Sequence, residues 1–483
     1  MSRHIPRALS LAASVAWGEL RHDPLRAALL GVRLLPPPVR RRVRPLERRL
    51  ADRAPTAGPT AAPSGVRVPP PPARRVRPVP GRVLHLVTNG LPFKHAGYTV
   101  RTQQIAEAQR AAGLDPHVVT RIGFPVAQGV LDARPVQTVG GVPQHRLLPR
   151  WLPYGQAAVL ARNAELAGLL VQRLRPAVLH PATDHGNGRV ALALRAAHGL
   201  PVVYEVRGFL EDTWLTQAPG RTCADPTYRA RRELETHCMR EADLVLTLGA
   251  AMKAEIVARG VPEERVLIVP NAVGEEFLAP LPDGAPLRAR LGIAPDDFVV
   301  GTVSSLTPHE GIGTLLHAGA ELRRRGVPLR LLIVGDGPER AALLRLAGGL
   351  GLADGAAVFT GRVPYAQVRD FHAVLDVFAV PRTDERVCRL VTPLKPVEAM
   401  ASGLPVAASD VPALRELVQP GVTGLLIPPS SPQVWADAIE SLLYSRNGRA
   451  EWGAAAREFV ARDRTWKRVA ATTREAYRAL GCA

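Results

Sequence analysis

The sequence predicts an α/β protein with two domains, each built on a parallel sheet, and two observations support this prediction. Short apolar runs alternate with helical patterns over 82–273, and the same alternation starts again over 298–409. Between the two series lies 275–297, a stretch spaced by Pro and Gly. Strands that alternate with helices in this way form parallel sheets with helices on both faces.

In the first series, RVLHLVTNG at 82–90 is an apolar run closed by Asn-Gly, and 99–113 is a helical pattern that ends at a Gly. The series continues with apolar runs and a second helical pattern at 116–120, 176–180, 188–199, 201–208, 242–249 and 266–273. In the second series, the predicted strands are 298–305, 328–335, 356–361, 375–381 and 405–409.

These patterns divide the chain of 483 residues into four parts. We expect a leader at 1–80, a first domain at 81–275, a second domain at 276–445, and C-terminal helices at 446–483 that pack back on the first domain.

The net charge of +19 is concentrated at one end of the chain. Residues 1–80 contain 16 Arg against 4 acidic residues, a balance of +12, which leaves +7 for the other 403 residues. This basic segment lacks interleaved aromatic residues, which argues against a nucleic-acid partner. The four Cys lie far apart without a C-x-x-C pair, so we expect neither a disulfide framework nor a zinc site. Free thiols fit a reducing compartment, and we therefore expect a cytoplasmic protein.

The leader is apolar at 8–18 but too short there to span a membrane, and its Ala-rich core is weak for a signal peptide. Residues 4–35 are compatible with one or two amphipathic helices, whereas the PPP, PPPP and RRR runs of 36–80 are not expected to pack a core. Two alternatives stay open: a solvated tail, or a segment that rests on anionic lipid headgroups.

The segment 390–418 is the most informative for function. A polar turn opens a short helix that carries Glu398, SGLP at 402–405 ends this helix, and the apolar strand PVAAS follows. Ligands of open α/β sheets bind beyond the carboxyl ends of the strands, where helix N-termini offer N–H groups to phosphate. We therefore expect Glu398 to accept hydrogen bonds from ribose hydroxyls.

Two glycine-containing turns follow other predicted strands. Ala96 and Gly97 open the first helix and can bring backbone N–H groups close to a phosphate, although a simple tight turn is an alternative. Gly335 and Gly337 in GDGPE let the backbone turn sharply beside a base, or serve turn geometry alone. The fingerprint G-x-G-x-x-G is absent, which argues against a hydride-transfer enzyme.

Six ordered segments resemble glycosyltransferase family 4 of the GT-B fold: HAGYTVRT at 95–102, VPNAV at 269–273, SSLTPHEGIGTLL at 304–316, LLIVGDGPE at 331–339, 390–418, and RELVQPGVTGLLIPP at 415–429. The resemblance implies two Rossmann-like domains that face each other across a cleft, with a C-terminal helix crossing back. It also implies retaining transfer of a sugar from a nucleotide-diphosphate sugar, without a cofactor or bound metal, to a glycan or lipid-linked acceptor. A subset of the family that assembles bacterial cell-surface polysaccharides matches best, and it implies a place in the cytoplasm or at the inner face of the membrane.

The resemblance and the charged residues at the predicted strand ends together assign expected roles to particular residues of this chain. The implied catalytic residues are His180, Lys395 and Glu398. The implied donor-binding residues are Gly97, Ser305, Glu310, Gly335, Gly337, Arg382, Arg386, Thr392 and Leu394. The implied acceptor-binding residues are Tyr98, Arg101, His185, Glu205 and Arg207. His185 competes with His180 for the place near the sugar, and Glu205 and Arg207 can instead pair with each other.

The chain departs from the family pattern at three positions. Ser305 and Glu310 stand where two cations usually grip the pyrophosphate, and Leu390 stands where a second glutamate usually precedes Glu398. The cations of the preceding loop are the expected substitutes, since Arg and Lys both bind phosphate: Arg382, Arg386, Arg389 and Lys395. A catalytically silent GT-B scaffold and a sugar-nucleotide epimerase are the alternatives.

Overall fold

The computed structural model describes residues 5–20, 24–35, 40, 43–47, 67–218 and 220–483. The chain forms two compact units. The first comprises Met1–Thr247, Ile256–Leu267 and Ala470–Ala483, and the second comprises Leu248–Glu255 and Ile268–Val469. The predicted boundary at 275/276 therefore differs from the observed division, because a short piece of the second unit interrupts the first.

The strands of the described chain are, in order, β1 (Arg82–Val87), β2 (Asp115–Thr120), β3 (Val136–Val139), β4 (Val142–Arg146), β5 (Val178–Pro181), β6 (Val203–Val206), β7 (Leu244–Thr247), β8 (Val266–Ile268), β9 (Phe298–Val303), β10 (Leu329–Val334), β11 (Ala357–Gly361), β12 (Val377–Val380), β13 (Val406–Ser409) and β14 (Gly424–Ile427).

The α-helices are, in order, α1 (Ile5–Leu20), α2 (Pro24–Arg33), α3 (Gly97–Ala111), α4 (Gln156–Leu174), α5 (His185–His198), α6 (Leu210–Leu215), α7 (Pro226–Glu241), α8 (Ala250–Ala258), α9 (Glu275–Leu278), α10 (Ala285–Arg290), α11 (Ile312–Arg324), α12 (Arg340–Gly349), α13 (Val368–His372), α14 (Arg386–Leu390), α15 (Lys395–Ala401), α16 (Pro412–Arg415), α17 (Pro432–Tyr444), α18 (Arg446–Asp463) and α19 (Trp466–Ala479).

The first unit contains a five-stranded sheet in the order β3-β4-β2-β1-β5 and a three-stranded sheet in the order β6-β7-β8. The bridges Leu179↔Val202 and Ala182↔Glu205 join β5 to the segment of β6. The pairs of β1 with β2 and β5 are parallel, and β3 pairs with β4 antiparallel. Because β1 lies between β2 and β5, the carboxyl ends of β1 and β5 form the point where an open sheet of this kind binds ligands.

The second unit contains a six-stranded parallel sheet in the order β11-β10-β9-β12-β13-β14. Successive strand residues enter different cores: Val299 and Leu332 pack on one face, and Val300 and Leu331 pack on the other. This alternation is the period of a strand that is buried on both faces. The predicted α/β class, with parallel sheets covered on both sides by helices, is confirmed.

The C-terminal segment belongs to both units. The second unit retains α18, and Val273 is tied to the following turn because its N–H donates to the Arg464 carbonyl at 2.9 Å and its carbonyl accepts from Trp466 at 3.1 Å. From Ala470 onward the chain belongs to the first unit, where Tyr477 is fully buried. The expectation that all of 446–483 packs on the first domain therefore does not hold for residues 446–469.

The leader is partly folded onto the first unit. Ala8, Leu11 and Ala12 of α1 are buried in a cluster with Val126 and Leu148. Within the described residues, no helix is both long and apolar enough to cross a membrane.

The predicted absence of packing at 36–80 does not hold for residues 67–80. The Arg74 N–H donates to the Ala197 carbonyl at 2.9 Å, and the Arg74 carbonyl lies 2.7 Å from His198 Nδ1. Pro71 is buried beside Gly168, which has no side chain to exclude it. Most of 36–66 lies outside the described residues.

Candidate functional site

The second unit forms its candidate site at the carboxyl ends of β9 and β12. β9 pairs with β10 on one side and β12 on the other, so the loops after β9 and β12 leave the sheet at its switch point. These loops are in direct contact, because the Thr383 N–H donates to the His309 carbonyl at 3.1 Å. Gly311 allows this approach: its φ is 67°, and a Cβ there would lie 1.9 Å from the Pro381 oxygen.

We expect Gly311→Ala to lower the free energy of unfolding by roughly 2–4 kcal/mol, because the added methyl group meets backbone and an Ala is strained at this φ. Urea unfolding of the full chain measures this. The matched control is Gly348→Ala in α12, where a Cβ meets nothing within 4 Å, and it should gain about 0.5 kcal/mol. Equal stability of the two variants would refute the close approach of the two loops.

A buried ion pair lies between these loops. Arg382 donates from Nη2 to Glu310 Oε1 at 2.9 Å and from Nη1 to the Val391 carbonyl at 3.0 Å, and both charged side chains are at most 10% exposed. Burial opposes ionisation of Glu310, but the charges of Arg382 and Lys395 lower the pKa of its carboxyl to about 2. Arg382 is therefore occupied by Glu310, and its expected role as a pyrophosphate ligand is not supported by its position.

Lys395 is the first residue of α15, and its ammonium group lies at the edge of this ion pair. Its Nζ is 3.5 Å from Ser304 Oγ and 4.0 Å from Glu310 Oε1, with the side chain 33% exposed. Glu310, Arg382 and Lys395 together carry a charge of +1. Of these three groups, Lys395 is the one that an incoming anion can reach.

Glu398 lies one turn after Lys395, on the buried side of α15. Its side chain accepts a hydrogen bond from the Tyr365 hydroxyl at 2.9 Å, and the residue is only 4% exposed. Burial raises the pKa of its carboxyl to about 7. A carboxyl group is thus held at the carboxyl end of the sheet, in a state that can take up or release a proton near neutral pH.

The start of α15 carries two further expected donor residues. Thr392 is buried, its carbonyl accepts from Asn271 Nδ2 at 2.8 Å, and its Oγ1 is enclosed without a hydrogen-bond partner. Leu394 is the N-cap of α15, and it is partly exposed. The backbone around Thr392 and Leu394 is therefore held in place beside Lys395.

Gly335 and Gly337 fit the backbone of the loop after β9. A Cβ at Gly335 would lie 1.8 Å from the Ser304 oxygen, and a Cβ at Gly337 would lie 2.3 Å from the Leu306 oxygen. These contacts give both glycines a packing reason, which is the structural alternative left open by the sequence. Ser305, between the two contacts, is exposed at the surface of this loop.

The other two arginines that follow β12 form ion pairs with carboxylates of the same chain. Arg386 Nη2 lies 3.3 Å from Glu255 Oε1, and Arg389 Nη2 lies 2.6 Å from Asp384 Oδ2. Both arginine side chains are at least 40% exposed. Both arginines thus lie beside carboxylates of the protein, whereas Lys395 lies at the edge of the Glu310–Arg382 pair.

The first unit has its own charged cluster at the carboxyl ends of β1, β5 and β6. Glu205 is fully buried and forms ion pairs with Arg101 at 2.7 Å and with Arg207. Arg207 also donates from Nη1 to the Tyr98 carbonyl at 2.9 Å and to Thr102 Oγ1 at 2.7 Å. Glu205 and Arg207 pair with each other, which is one of the two alternatives that the sequence left open.

His180 lies beneath this cluster with no exposed surface. Its Nδ1 is 2.5 Å from the Tyr477 hydroxyl, and its Nε2 is 3.3 Å from Glu205 Oε2. Burial lowers the pKa of the imidazole, so it is neutral at pH 7. The expectation that His180 contacts the transferred sugar is not supported, because the ring is enclosed by Glu205 and Tyr477.

Gly97 and Tyr98 lie at the first turn of α3, and both are exposed. A Cβ at Gly97 would meet nothing within 4 Å, so neighbouring atoms do not require a glycine there. The Tyr98 hydroxyl accepts from Asn89 Nδ2 at 2.9 Å. This turn is the accessible part of the first-unit cluster.

His185 opens α5 and lies apart from the Glu205 pairs. Its backbone N–H donates to Glu235 Oε1 at 2.6 Å, and Glu235 also accepts from the Tyr204 hydroxyl at 2.5 Å. Burial lowers the pKa of His185 to about 4 and raises the pKa of Glu235 to about 8. The predicted acceptor residues therefore form two groups: Tyr98, Arg101, Glu205 and Arg207 in one, and His185 in the other.

Sequence reasoning missed Tyr365 and Tyr477. Tyr365 opens a short 3-10 helix after β11, and Tyr477 lies on an amphipathic helix near the C-terminus, where an aromatic residue normally signals packing. The only signal available in the sequence was the position of Tyr365 after a strand end. Tyr365 is 33 positions from its partner Glu398, and Tyr477 is 297 positions from its partner His180.

Two family models match the chain. The model described as "Glycosyl transferase 4-like domain" matches residues 96–272, and the model described as "Glycosyl transferases group 1" matches residues 285–459.

Curated relatives are similar over most or about half of the chain. The D-inositol 3-phosphate glycosyltransferase of Rhodococcus erythropolis is 30% identical over 399 residues, which cover 79% of this chain and 86% of that protein. The GDP-mannose-dependent alpha-(1-6)-phosphatidylinositol monomannoside mannosyltransferase of Mycobacterium tuberculosis is 34% identical over 232 residues, which cover 47% of this chain and 60% of that protein.

Solved structures are similar in fold. Sucrose-phosphate synthase from Thermosynechococcus elongatus has a TM-score of 0.68 at 22% identity, covering 83% of this chain and 99% of that one. HepE of Anabaena in complex with UDP has a TM-score of 0.67 at 20% identity, covering 82% of this chain and 100% of that one.

Proposed function

The chain belongs to glycosyltransferase family 4, and from this premise we propose a specific reaction for it. It is a GT-B enzyme of the hexosyltransferase type. It moves a sugar from a nucleotide-diphosphate sugar to a glycan or lipid-linked acceptor, with retention of configuration and without a metal. The observation that carries this proposal is the placement of Lys395 and Glu398 on α15, at the carboxyl ends of the strands in the second unit.

Glu398 binds the ribose of the donor in this proposal. Its buried carboxyl already accepts one hydrogen bond from Tyr365, and further oxygen lone pairs remain for ribose hydroxyls. Hydrogen bonds to the charged form favour ionisation. Because the pKa of Glu398 is about 7 in the free protein, donor binding near neutral pH releases a proton.

Lys395 binds the diphosphate. The buried Arg382 neutralises Glu310, so the negative charge that replaces a family cation does not repel the donor directly. The ammonium group of Lys395 then supplies the excess positive charge, together with backbone N–H groups at the entry to α15. A single partly exposed lysine thus takes the place of two cations.

The chemistry follows from positioning. In a retaining transfer of this type, the acceptor attacks the face that the nucleotide leaves, so the protein holds both partners and stabilises the departing diphosphate rather than supplying a nucleophile. Lys395 stabilises the negative charge that develops on the leaving group, and Glu398 fixes the nucleoside. The sugar C1–O bond to the diphosphate breaks as the bond to the acceptor oxygen forms, and the acceptor proton leaves with the diphosphate.

The first-unit cluster serves the acceptor. Arg207 is held by Glu205 and positions the carbonyl of Tyr98 at the exposed turn that opens α3. Two relatives bear names that specify an inositol phosphate and a phosphatidylinositol mannoside as what they act on, which supports a hydroxylated, phosphate-bearing or lipid-linked acceptor. The role we propose is cell-surface polysaccharide or glycoconjugate synthesis in the cytoplasm, at the inner face of the membrane.

A second candidate function is a catalytically silent scaffold. It is favoured by Glu310 and Leu390, which replace a cation and a glutamate of the family pattern. The two functions separate on one property: an enzyme binds a nucleotide sugar and turns it over, whereas a silent scaffold lacks turnover with every donor and acceptor pair.

The proposed function is tested by a thermal-shift screen of nucleotide sugars, followed by mass spectrometry of products formed on lipid-linked and soluble glycan acceptors. We expect at least one nucleotide-diphosphate sugar to raise the unfolding temperature and to give a glycosylated product with a retained anomeric configuration. Product without an acceptor would indicate an epimerase, and no binding of any nucleotide sugar would contradict the proposal.

We expect Lys395→Ala to lower the rate of transfer at least about tenfold, or about 1.4 kcal/mol of barrier, because the leaving diphosphate loses its cation. The measurement is kcat/KM for the donor found in the screen. Lys467→Ala, an exposed lysine on α19, is the matched control and should leave kcat/KM unchanged. Full activity of the Lys395→Ala variant would show that this lysine does not bind the diphosphate.

A further inference from the structure

The first helix of the leader exposes an apolar stripe. Leu9, Ala13 and Trp17 are spaced by four residues along α1, so they lie on one face of the helix. Leu9 is 51% exposed and Trp17 is 62% exposed. The neighbouring face of the same helix is buried through Ala8, Leu11 and Ala12. The stripe is therefore exposed although the helix itself is packed against the first unit.

A loop of the first unit lies against the same helix. Ser10 Oγ donates to the Arg150 carbonyl at 3.1 Å, and Ser14 Oγ accepts from the Leu152 N–H at 3.2 Å. These bonds hold the loop against α1. The loop carries Trp151 and Tyr154, which are 64% and 62% exposed. We call Leu9, Trp17, Trp151 and Tyr154 the aromatic surface.

The aromatic surface differs from the exposed apolar residues of the second unit. There, Leu344 lies on α12, Val422 lies before β14, and Val434 and Tyr444 lie near opposite ends of α17. Scattered exposures of this kind are ordinary on a soluble protein. Two of the six tryptophans of the chain, by contrast, lie on two segments tied to each other by hydrogen bonds. A concentration of this kind marks an interaction site.

The charge of the leader sequence and of the loop favours one kind of partner. The leader that contributes α1 holds 16 Arg against 4 acidic residues, and Arg150 on the loop is exposed. Trp and Tyr are enriched where protein meets the membrane–water interface, and basic residues are attracted to anionic headgroups. A second copy of this chain would bring the same positive charge and be repelled.

We propose that the aromatic surface docks the first unit on an anionic lipid bilayer, with Trp17, Trp151 and Tyr154 in the headgroup region and Arg150 against lipid phosphate. The anchor is thus a folded, two-segment surface rather than a loose basic tail. This inference rests on the proposed function, because a lipid-linked acceptor lies in the same membrane.

The test is co-sedimentation of the full-length protein with vesicles of phosphatidylglycerol and phosphatidylcholine, compared with vesicles of phosphatidylcholine alone. The variant is Trp17→Ser combined with Trp151→Ser. The matched control is Tyr444→Ser, a 75% exposed aromatic residue of the second unit. Quenching of tryptophan fluorescence by brominated lipid is the second measurement, and thermal unfolding checks that the variants are folded.

We expect binding to anionic vesicles to fall at least about tenfold in the double variant and to stay unchanged in Tyr444→Ser, since the interfacial aromatic side chains supply the buried apolar area. Quenching by brominated lipid should be lost in the double variant, and binding of the nucleotide sugar should persist, which separates this inference from the proposed donor site. Equal vesicle binding by wild type and double variant would overturn it. So would equal binding to neutral vesicles, or a dimer in solution that the double variant abolishes.

Discussion

Glu398→Gln is expected to lower donor affinity at least about tenfold while making the protein more stable at pH 8. The loss of affinity arises because an amide oxygen replaces a charged carboxylate that accepts from ribose, and hydrogen bonds to charged groups are about twice as strong as neutral ones. The gain in stability arises because burial makes the ionised carboxylate costly in the folded protein.

The stability gain depends on pH in a defined direction. Folding raises the pKa of Glu398 from 4.5 to about 7, so the folded state holds the proton more tightly than the unfolded state. The stability of the wild type relative to Glu398→Gln therefore falls as pH rises from about 4.5 to 7, and levels off above. The full difference is about 3 kcal/mol on the scale of 1.36 kcal/mol per pKa unit.

Donor affinity of the wild type should rise with pH over the range just below 7, where Glu398 ionises, and become flat above it. Urea unfolding and donor titration at several pH values measure both effects. Glu451→Gln, an exposed position on α18, is the control and should change neither. A variant Glu398→Gln that loses stability at pH 8 would show that the carboxyl is not buried as described.

Arg382→Met is expected to lower the free energy of unfolding by about 3–5 kcal/mol, because it leaves the buried Glu310 carboxylate without its partner. The exposed pair Arg389–Asp384, in the same loop, is the matched control. Its variant Arg389→Met should cost less than about 1 kcal/mol. Equal costs for the two arginines would contradict the burial of the Glu310–Arg382 pair.

Removing both charges separates a structural role from a ligand-binding one. The double variant Glu310→Gln with Arg382→Met should recover most of the lost stability, because no unpaired buried charge remains. If Arg382 serves structure alone, donor affinity also returns in the double variant. Donor binding that stays lost in a stable double variant would restore Arg382 as a phosphate ligand.

The sequence was sufficient to predict the fold because its signals are local. Apolar runs and helical patterns repeat in two series, and each series forms a sheet that is mainly parallel. The sheet of the second unit has a core on both faces. The division between units was less accurate, since residues 248–255 and 446–469 belong to the second unit. No local pattern reports such an exchange.

The position of the candidate residues could be predicted better than their contacts. Glu398 and Lys395 lie on one short helix at a strand end, where the sequence pattern put them, and their role in donor binding stays a prediction. The pairing of Arg382 with Glu310 was not found, because the two residues are 72 positions apart and meet only when β9 and β12 become neighbours. The contacts of Tyr365 with Glu398 and of Tyr477 with His180 could not be predicted for the same reason.

The most direct measurement of the central claim is the dissociation constant of the nucleotide sugar identified in the screen, determined by calorimetry at pH 8 for the wild type, Lys395→Ala and Glu398→Gln. We predict that each variant binds at least about tenfold more weakly than the wild type, while both remain folded by thermal unfolding. Wild-type affinity in both variants would show that the donor does not bind at the start of α15.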